Sequence, residues 1–272
     1  MGTPLDDDPA AGSAPVARPG IEVLNRAVDV LSAFTQGPGT TLSLAEIARR
    51  TGLPKPTLHR LLAALELLGL VERRGSGHQL GIRLFELGEH VPRKQRLREA
   101  ALPFLQDLYE ASHDTVHLAV LDGTEVVYLE RIRGHRATNV ASRVGGRLPA
   151  YCTGVGKALL AFTPEAAAAT MAMPLVARTP YTITSPAVLA EELARIRATG
   201  ISHDREENSL GITCVAAPII VDDLAVGAVS ITCGPTQTDV ERYAPAVKTA
   251  ALAIRRSLSR PSAPLRPAPP RP

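Results

Sequence analysis

Apolar positions follow two periods along the chain, and the change from one to the other divides it. From Ile21 to about Leu108 the spacing is helical; from Thr115 to Ile254 short strand-like runs alternate with helical stretches. In the first part Leu24, Ala27, Val28, Leu31 and Phe34 recur at i, i+3, i+4, i+7 spacing and predict a helix with that stripe turned to a core. Ser43 with Glu46 three residues later is a capping box opening a second helix that carries Leu44, Ile47 and Ala48. Thr51-Gly52-Leu53 then makes a short turn with glycine at the helix end. A third helix runs from about Pro54 to Leu68. Leu58, Leu61, Leu62 and Leu65 share one face, and Pro56, Arg60 and Ala63 the other. After Gly69, two strand-compatible ends flank a glycine-rich, arginine-bearing tip between Leu70 and Leu80, which predicts a β-hairpin.

The second part offers strands at Val116–Leu121, Val126–Ile132, Ile212–Ile220 and Val226–Thr232. Thr163-Pro164-Glu165 and Ser185-Pro186 start helices, with an N-cap followed by proline at the first helical position, and Gly200 ends the second. Antiparallel strands mixed with helices, without a βαβ repeat, predict an α+β sensing domain. Residues 1–20 and 261–272 are rich in Pro and Ala, show no apolar period and read as tails.

A capped helix, a glycine turn, an amphipathic helix and a basic hairpin, in that order, spell a winged helix-turn-helix. The N-terminal part of its third helix would enter the major groove. The formal charge of +3 is too small to point to nucleic acid by itself. Its distribution says more, because Arg49 to Arg83 holds seven basic residues against two acidic ones. Candidate DNA contacts are Arg49 on the second helix, Lys55, Pro56, Thr57, His59 and Arg60 on the third, and Arg73, Arg74 and His78 on the wing.

The chain resembles the IclR family of regulators from about Ile21 to Arg256. The carriers are the run Ser43 to Leu62 (SLAEIARRTGLPKPTLHRLL) and LGIRLFELG at 80–88. In the second part they are GVGKALLA at 154–161, DREE at 204–207 and GITCVAAPI at 211–219. The resemblance implies a winged helix-turn-helix over 21–90 with its motif at about 43–62, a connecting helix over 91–112 and a GAF-like effector-binding domain over 113–260. It also implies a ligand site on Gly154, Val155, Asp204, Ile212, Cys214, Ser230 and Thr232, suited to a small organic acid or aromatic metabolite. The implied partners are double-stranded operator DNA and a second copy of the chain, as homodimer or dimer of dimers. Repression is the family's habit, with activation or both signs as the alternative. A sensor working through a protein partner is a further reading. Two positions depart from the family's pattern: Pro56 stands where serine is common, and Leu67 lies on the outer face of the third helix, where it is expected to pack against a neighbouring element.

Other chemistry finds little support. Gly156-Lys157 is not a phosphate loop, since Tyr151 stands where the first glycine belongs and Ala158 where Ser or Thr belongs. No G-x-S-x-G elbow or H-E-x-x-H occurs, and Asp204, Glu206 and Glu207 have no metal-type spacing beside them. His113 and His117 straddle a helix-to-strand boundary, which argues against shared metal ligation. Cys152, Cys214 and Cys233 are odd in number and form no CxxC pair, so neither a disulfide framework nor a zinc site is expected. No apolar run approaches the ~20 residues of a membrane span, and residues 1–20 lack a signal peptide's apolar centre. The expectation is a cytoplasmic regulator that is not an enzyme and carries no cofactor or metal.

Overall fold

A computed structural model describes residues 22–35, 41–135, 142–234 and 240–259. They form two compact units that divide between His90 and Val91. The segments expected as tails lie outside the described residues.

The first unit comprises helices α1 (Glu22–Ala33), α2 (Leu44–Thr51) and α3 (Lys55–Leu67), a hairpin of β1 (Val71–Arg74) and β2 (Gly77–Leu80), and helix α4 (Arg83–Glu89). Val30, Ala33, Phe34, Ile47, Leu58, Leu62, Leu65 and Val71 form its core. The stripe on α1 is offset from the expected one: Leu24 and Val28 are 58% and 48% exposed, whereas Val30 and Ala33 are buried. Two overlapping stripes, 24-27-28-31 and 27-30-31-34, share the same period. Only the later one lies along the turns that α2 and α3 cover. Ser43 Oγ accepts the Glu46 amide at 3.2 Å, but Glu46 does not close the capping box; its carboxylate holds Arg49 and Arg50 instead. Gly52, at φ 67°, ends α2 in the left-handed region. Pro56 falls in the first turn of α3, where a missing N–H has no partner to lose.

The second unit begins with α5 (Pro92–Ser112), the segment expected as a connecting helix. It packs as a core helix, with Leu97, Ala101, Leu105 and Leu108 buried. Then come β3 (Thr115–Asp122), β4 (Glu125–Ile132), β5 (Arg147–Pro149), and helices α6 (Gly154–Leu160), α7 (Pro164–Met171) and α8 (Pro186–Thr199). The chain continues through β6 (Ser202–Arg205), β7 (Thr213–Val221), β8 (Leu224–Cys233) and α9 (Ala244–Ser259). Among the described residues these strands form one antiparallel sheet in the order β5-β4-β3-β8-β7-β6. Strand alternation gives its faces different cargoes. Val116, Leu118, Val215, Ile219, Val229 and Ile231 pack with α5 and α9. Ala119, Cys214, Ala216 and Ala228 turn to the opposite side, with α6 and α8. Thr163 and Ser185 precede α7 and α8 as expected but make no side-chain cap; the Thr163 hydroxyl donates back to Leu159 O at 3.0 Å.

Candidate functional site

The face of the sheet that meets α6 is built from small and polar residues, and strand register lines them up. Asp204 on β6 pairs with Cys214 on β7, and Cys214 with Thr232 on β8. One step along, Ala216 pairs with Ser230, and Ser230 with His117 on β3. Two glycines let the start of α6 pack closely, Gly154 against this floor and Gly156 against the turn that precedes the helix. A Cβ on Gly154 would sit 2.9 Å from Cys214 Sγ, and one on Gly156 only 2.2 Å from Ala150 O. Thr153 caps the helix, its Oγ1 accepting the Gly156 amide at 3.2 Å.

A cavity remains between helix start and floor. Gly154, Val155, Asp204, Ile212, Cys214, Ser230 and Thr232, the residues singled out from the sequence, all line it. His117, Tyr128, Ser142, Leu148, Thr153, Asn208 and Ser209 complete the wall and were not foreseen. Strand parity carried a signal for His117, which alternates with Val116 and Leu118 and so must face away from the α5 side. Ser142 enters from a loop with no periodic pattern. The cavity measures about 30 Å3, room for roughly two waters.

Its walls mix polar and apolar groups and are largely uncharged. The His117 ring is buried, with Nε2 2.6 Å from Ser142 Oγ and Nδ1 3.2 Å from Thr232 Oγ1. Burial, with Arg131 nearby, brings its pKa down to about 3, so the imidazole is neutral and one nitrogen donates while the other accepts. Burial pushes the Cys214 and Cys152 thiols up to about 12, which suits packing thiols rather than nucleophiles. Asp204 is raised to about 7 by burial and then by the Glu207 charge, against the opposing pull of the Glu207 and Asn208 amides and of Lys157.

Lys157 is 1% exposed and bonds Glu207 Oε1, so it is not free to hold a phosphate. Glu206 accepts the Gly211 amide at 2.7 Å and shapes the loop that bears Asn208, Ser209 and Ile212. The three acids that could have formed one catalytic group therefore have three separate settings. Two threonines anchor this loop: Thr179 Oγ1 donates to Glu206 O and Thr182 Oγ1 to Glu207 O, each at 2.6 Å. His113 ends α5 at φ 55°, while His117 faces the cavity. Among the described residues no group of three His, Cys, Asp or Glu is placed to hold a metal. No helix of theirs is long and apolar enough to cross a membrane.

On the first unit, Lys55, Pro56, His59 and Arg60 are exposed along the first turns of α3, and Thr57 is half-buried. Arg73 and Arg74 are exposed on the hairpin. Arg49 is exposed but bonded to Glu46, whose carboxyl the Arg49 and Arg50 guanidiniums hold down to about 2. His78 corrects the expectation. It is 8% exposed and 3.1 Å from Glu66, because its backbone pairs with Leu42 in both directions and turns the ring inward. Leu67 corrects another: among the described residues it is not covered and stays 88% exposed.

Family models match most of the chain: the IclR helix-turn-helix domain over residues 23–75 and the C-terminal domain of the bacterial transcriptional regulator IclR over residues 90–257. The HTH-type transcriptional regulator XynR of Escherichia coli is 33% identical over 90% of this chain and 100% of its own length. The transcriptional repressor IclR of the same species is 34% identical over 78% of each chain. An IclR homologue of Microbacterium hydrocarbonoxydans, solved in complex with 4-hydroxybenzoate, superposes with a TM-score of 0.79 at 32% identity, covering 87% of this chain and 99% of its own. The chain belongs to the IclR family of bacterial transcription regulators, with a helix-turn-helix DNA-binding domain followed by an effector-binding domain.

Proposed function

We propose that this protein is a cytoplasmic repressor that binds a pseudo-palindromic operator as a homodimer or dimer of dimers and responds to a small carboxylic acid held in the cavity. The observation that carries the effector part is the convergence of Gly154, Val155, Asp204, Ile212, Cys214, Ser230 and Thr232 on one cavity. At about 30 Å3 that space favours the smallest acids, which exceed its resting size least. An aromatic acid such as the 4-hydroxybenzoate of the Microbacterium homologue needs the loop bearing Asn208 and Ser209 to give way. The exposed apolar side chains Val23, Leu24, Val28, Ile82, Phe85 and Leu87 support self-association by offering the first unit a surface to bury against a second copy. Helix α5 follows that unit in the chain and packs under the sheet, which makes it the covalent route from cavity to operator-binding unit.

On the DNA side Lys55, Pro56, Thr57, His59 and Arg60 present the reading surface, with Arg73 and Arg74 on the wing and Arg49 as a backbone contact. The test is a gel shift on DNA flanking the protein's own gene. Arg60→Ala lowers operator affinity by about 1–3 kcal/mol while effector binding measured by calorimetry stays unchanged. Unchanged operator affinity removes α3 as the recognition helix.

A further inference from the structure

An acid entering this cavity meets an acid already there. Two buried carboxyls, Asp204 and Glu207, stand beside one buried ammonium, Lys157. Lys157 Nζ bonds Glu207 Oε1, and its second carboxylate, 3.8 Å away, is Glu192, which Arg195 pairs at 2.6 Å. Among the described residues Asp204 has no ion pair; its Oδ1 accepts the Glu207 amide at 2.7 Å. The other titratable groups near it are neutral: Cys214 paired on β7, Cys152 ahead of α6, Tyr128 on β4 and, across the cavity, His117 on β3. An ionised Asp204 and an effector carboxylate would be like charges side by side among buried residues (Asp204, Cys214, Ser230 and Thr232), where little water screens them.

We propose that the cavity takes a small carboxylic acid as its anion together with one proton, carried on the Asp204 carboxyl, which donates its O–H to the effector's carboxylate. The balance is simple: effector anion and one proton enter, no bond of the effector breaks, and the proton leaves with it. Burial already brings Asp204 to about 7, so near neutral pH the proton is half in place. A protonated carboxyl keeps one donor for the effector and acceptor lone pairs for the Glu207 and Asn208 amides, so it serves all three at once. This deepens the effector-cavity reading and rests on it.

The test is titration calorimetry of the full-length protein with acetate, pyruvate, succinate and benzoate. Affinity is expected to be flat below the Asp204 pKa and to fall above it. For acetate, pyruvate and benzoate, which stay anionic over this range, binding at about pH 8.5 is roughly thirtyfold weaker than at about pH 6. Heats at the higher pH depend on the buffer's ionisation enthalpy, as uptake of about one proton requires. Asp204→Asn, a neutral donor of the same shape, keeps the binding and loses its pH dependence. Carboxyl carbon resonances of ligand-free wild-type protein, with Asp204→Asn for assignment, place the Asp204 titration near neutrality. Equal affinity at both pH values, loss of binding in Asp204→Asn, or a titration near about 4 overturns the proton linkage. Failure of all these acids to bind at about pH 6 overturns the effector-cavity reading itself, and the linkage with it.

Discussion

Gly156 has no side chain because nothing larger fits: a Cβ there would lie 2.2 Å from Ala150 O, and backbone cannot swing aside as a side-chain tip can. Gly156→Ala must push the start of α6 away from the turn at Ala150 to Thr153. The expected destabilisation is about 2–4 kcal/mol, read as a lowered midpoint in thermal or urea unfolding. Gly154 differs, since its neighbour at 2.9 Å is the Cys214 thiol and its own position lines the cavity. Asp204 makes a second residue-scale prediction, on stability alone. Its folded pKa of about 7 lies above its ordinary value, so its contribution is full below about 4 and is lost as pH rises through 7. Unfolding midpoints of wild type therefore decline across that window, and those of Asp204→Asn do not; parallel curves would show that Asp204 is ionised throughout. Gly154 and Asp204 could be named from sequence because the GVGKALLA and DREE runs match the family's pattern; their chemistry alone did not single them out. His78 could not be placed, because an inward ring on a four-residue strand depends on Leu42, thirty-six positions away.

Elements were legible where burial and apolarity coincide. Strands β3, β4, β7 and β8 stand out as apolar runs because one or both of their faces pack in a core. Strand β6 reads Ser202-His203-Asp204-Arg205 and has no apolar residue, yet three of the four are buried. A strand that forms a cavity wall exchanges apolar side chains for polar ones, and the periodic signal disappears at the functional place. The loop that follows is held by side chains rather than by a pattern. Thr182 Oγ1 accepts the Arg178 and Thr179 amides at 3.0 and 2.9 Å and donates to Glu207 O at 2.6 Å. Thr182→Val keeps the shape and strands those groups, at an expected cost of about 1–3 kcal/mol. Hydrogen exchange at Glu207, Asn208 and Ser209 should accelerate while exchange in α3 does not change. Uniform acceleration through the second unit would mean that Thr182 supports the fold at large rather than this loop.

For the whole molecule, the change of period between Leu108 and Thr115 falls inside the second unit, because α5 reads as helix like its predecessors but packs under the sheet. Periodicity reports what a segment is; which core receives it depends on contacts with α9 that lie far along the chain. Charge has the same character. A formal charge of +3 gives only a weak long-range field, so attraction to DNA must come from the cations gathered on one surface. Lys55, Arg60, Arg73 and Arg74 are exposed there, while Arg50 is tied to Glu46 and Ala33 O, and Arg83 to Leu68 O. If a dimer places these four from each copy near phosphates, log affinity falls against log salt with a slope of about −7, and less steeply if Arg60 spends itself on a base edge. Removing Arg73 or Arg74 then flattens the slope by about 2, one contact from each copy, and weakens all sequences alike. Arg60→Ala instead weakens the operator more than unrelated DNA. A salt response that stays flat from low to physiological ionic strength would remove the winged helix as a DNA-binding surface and leave the cavity to serve a protein partner.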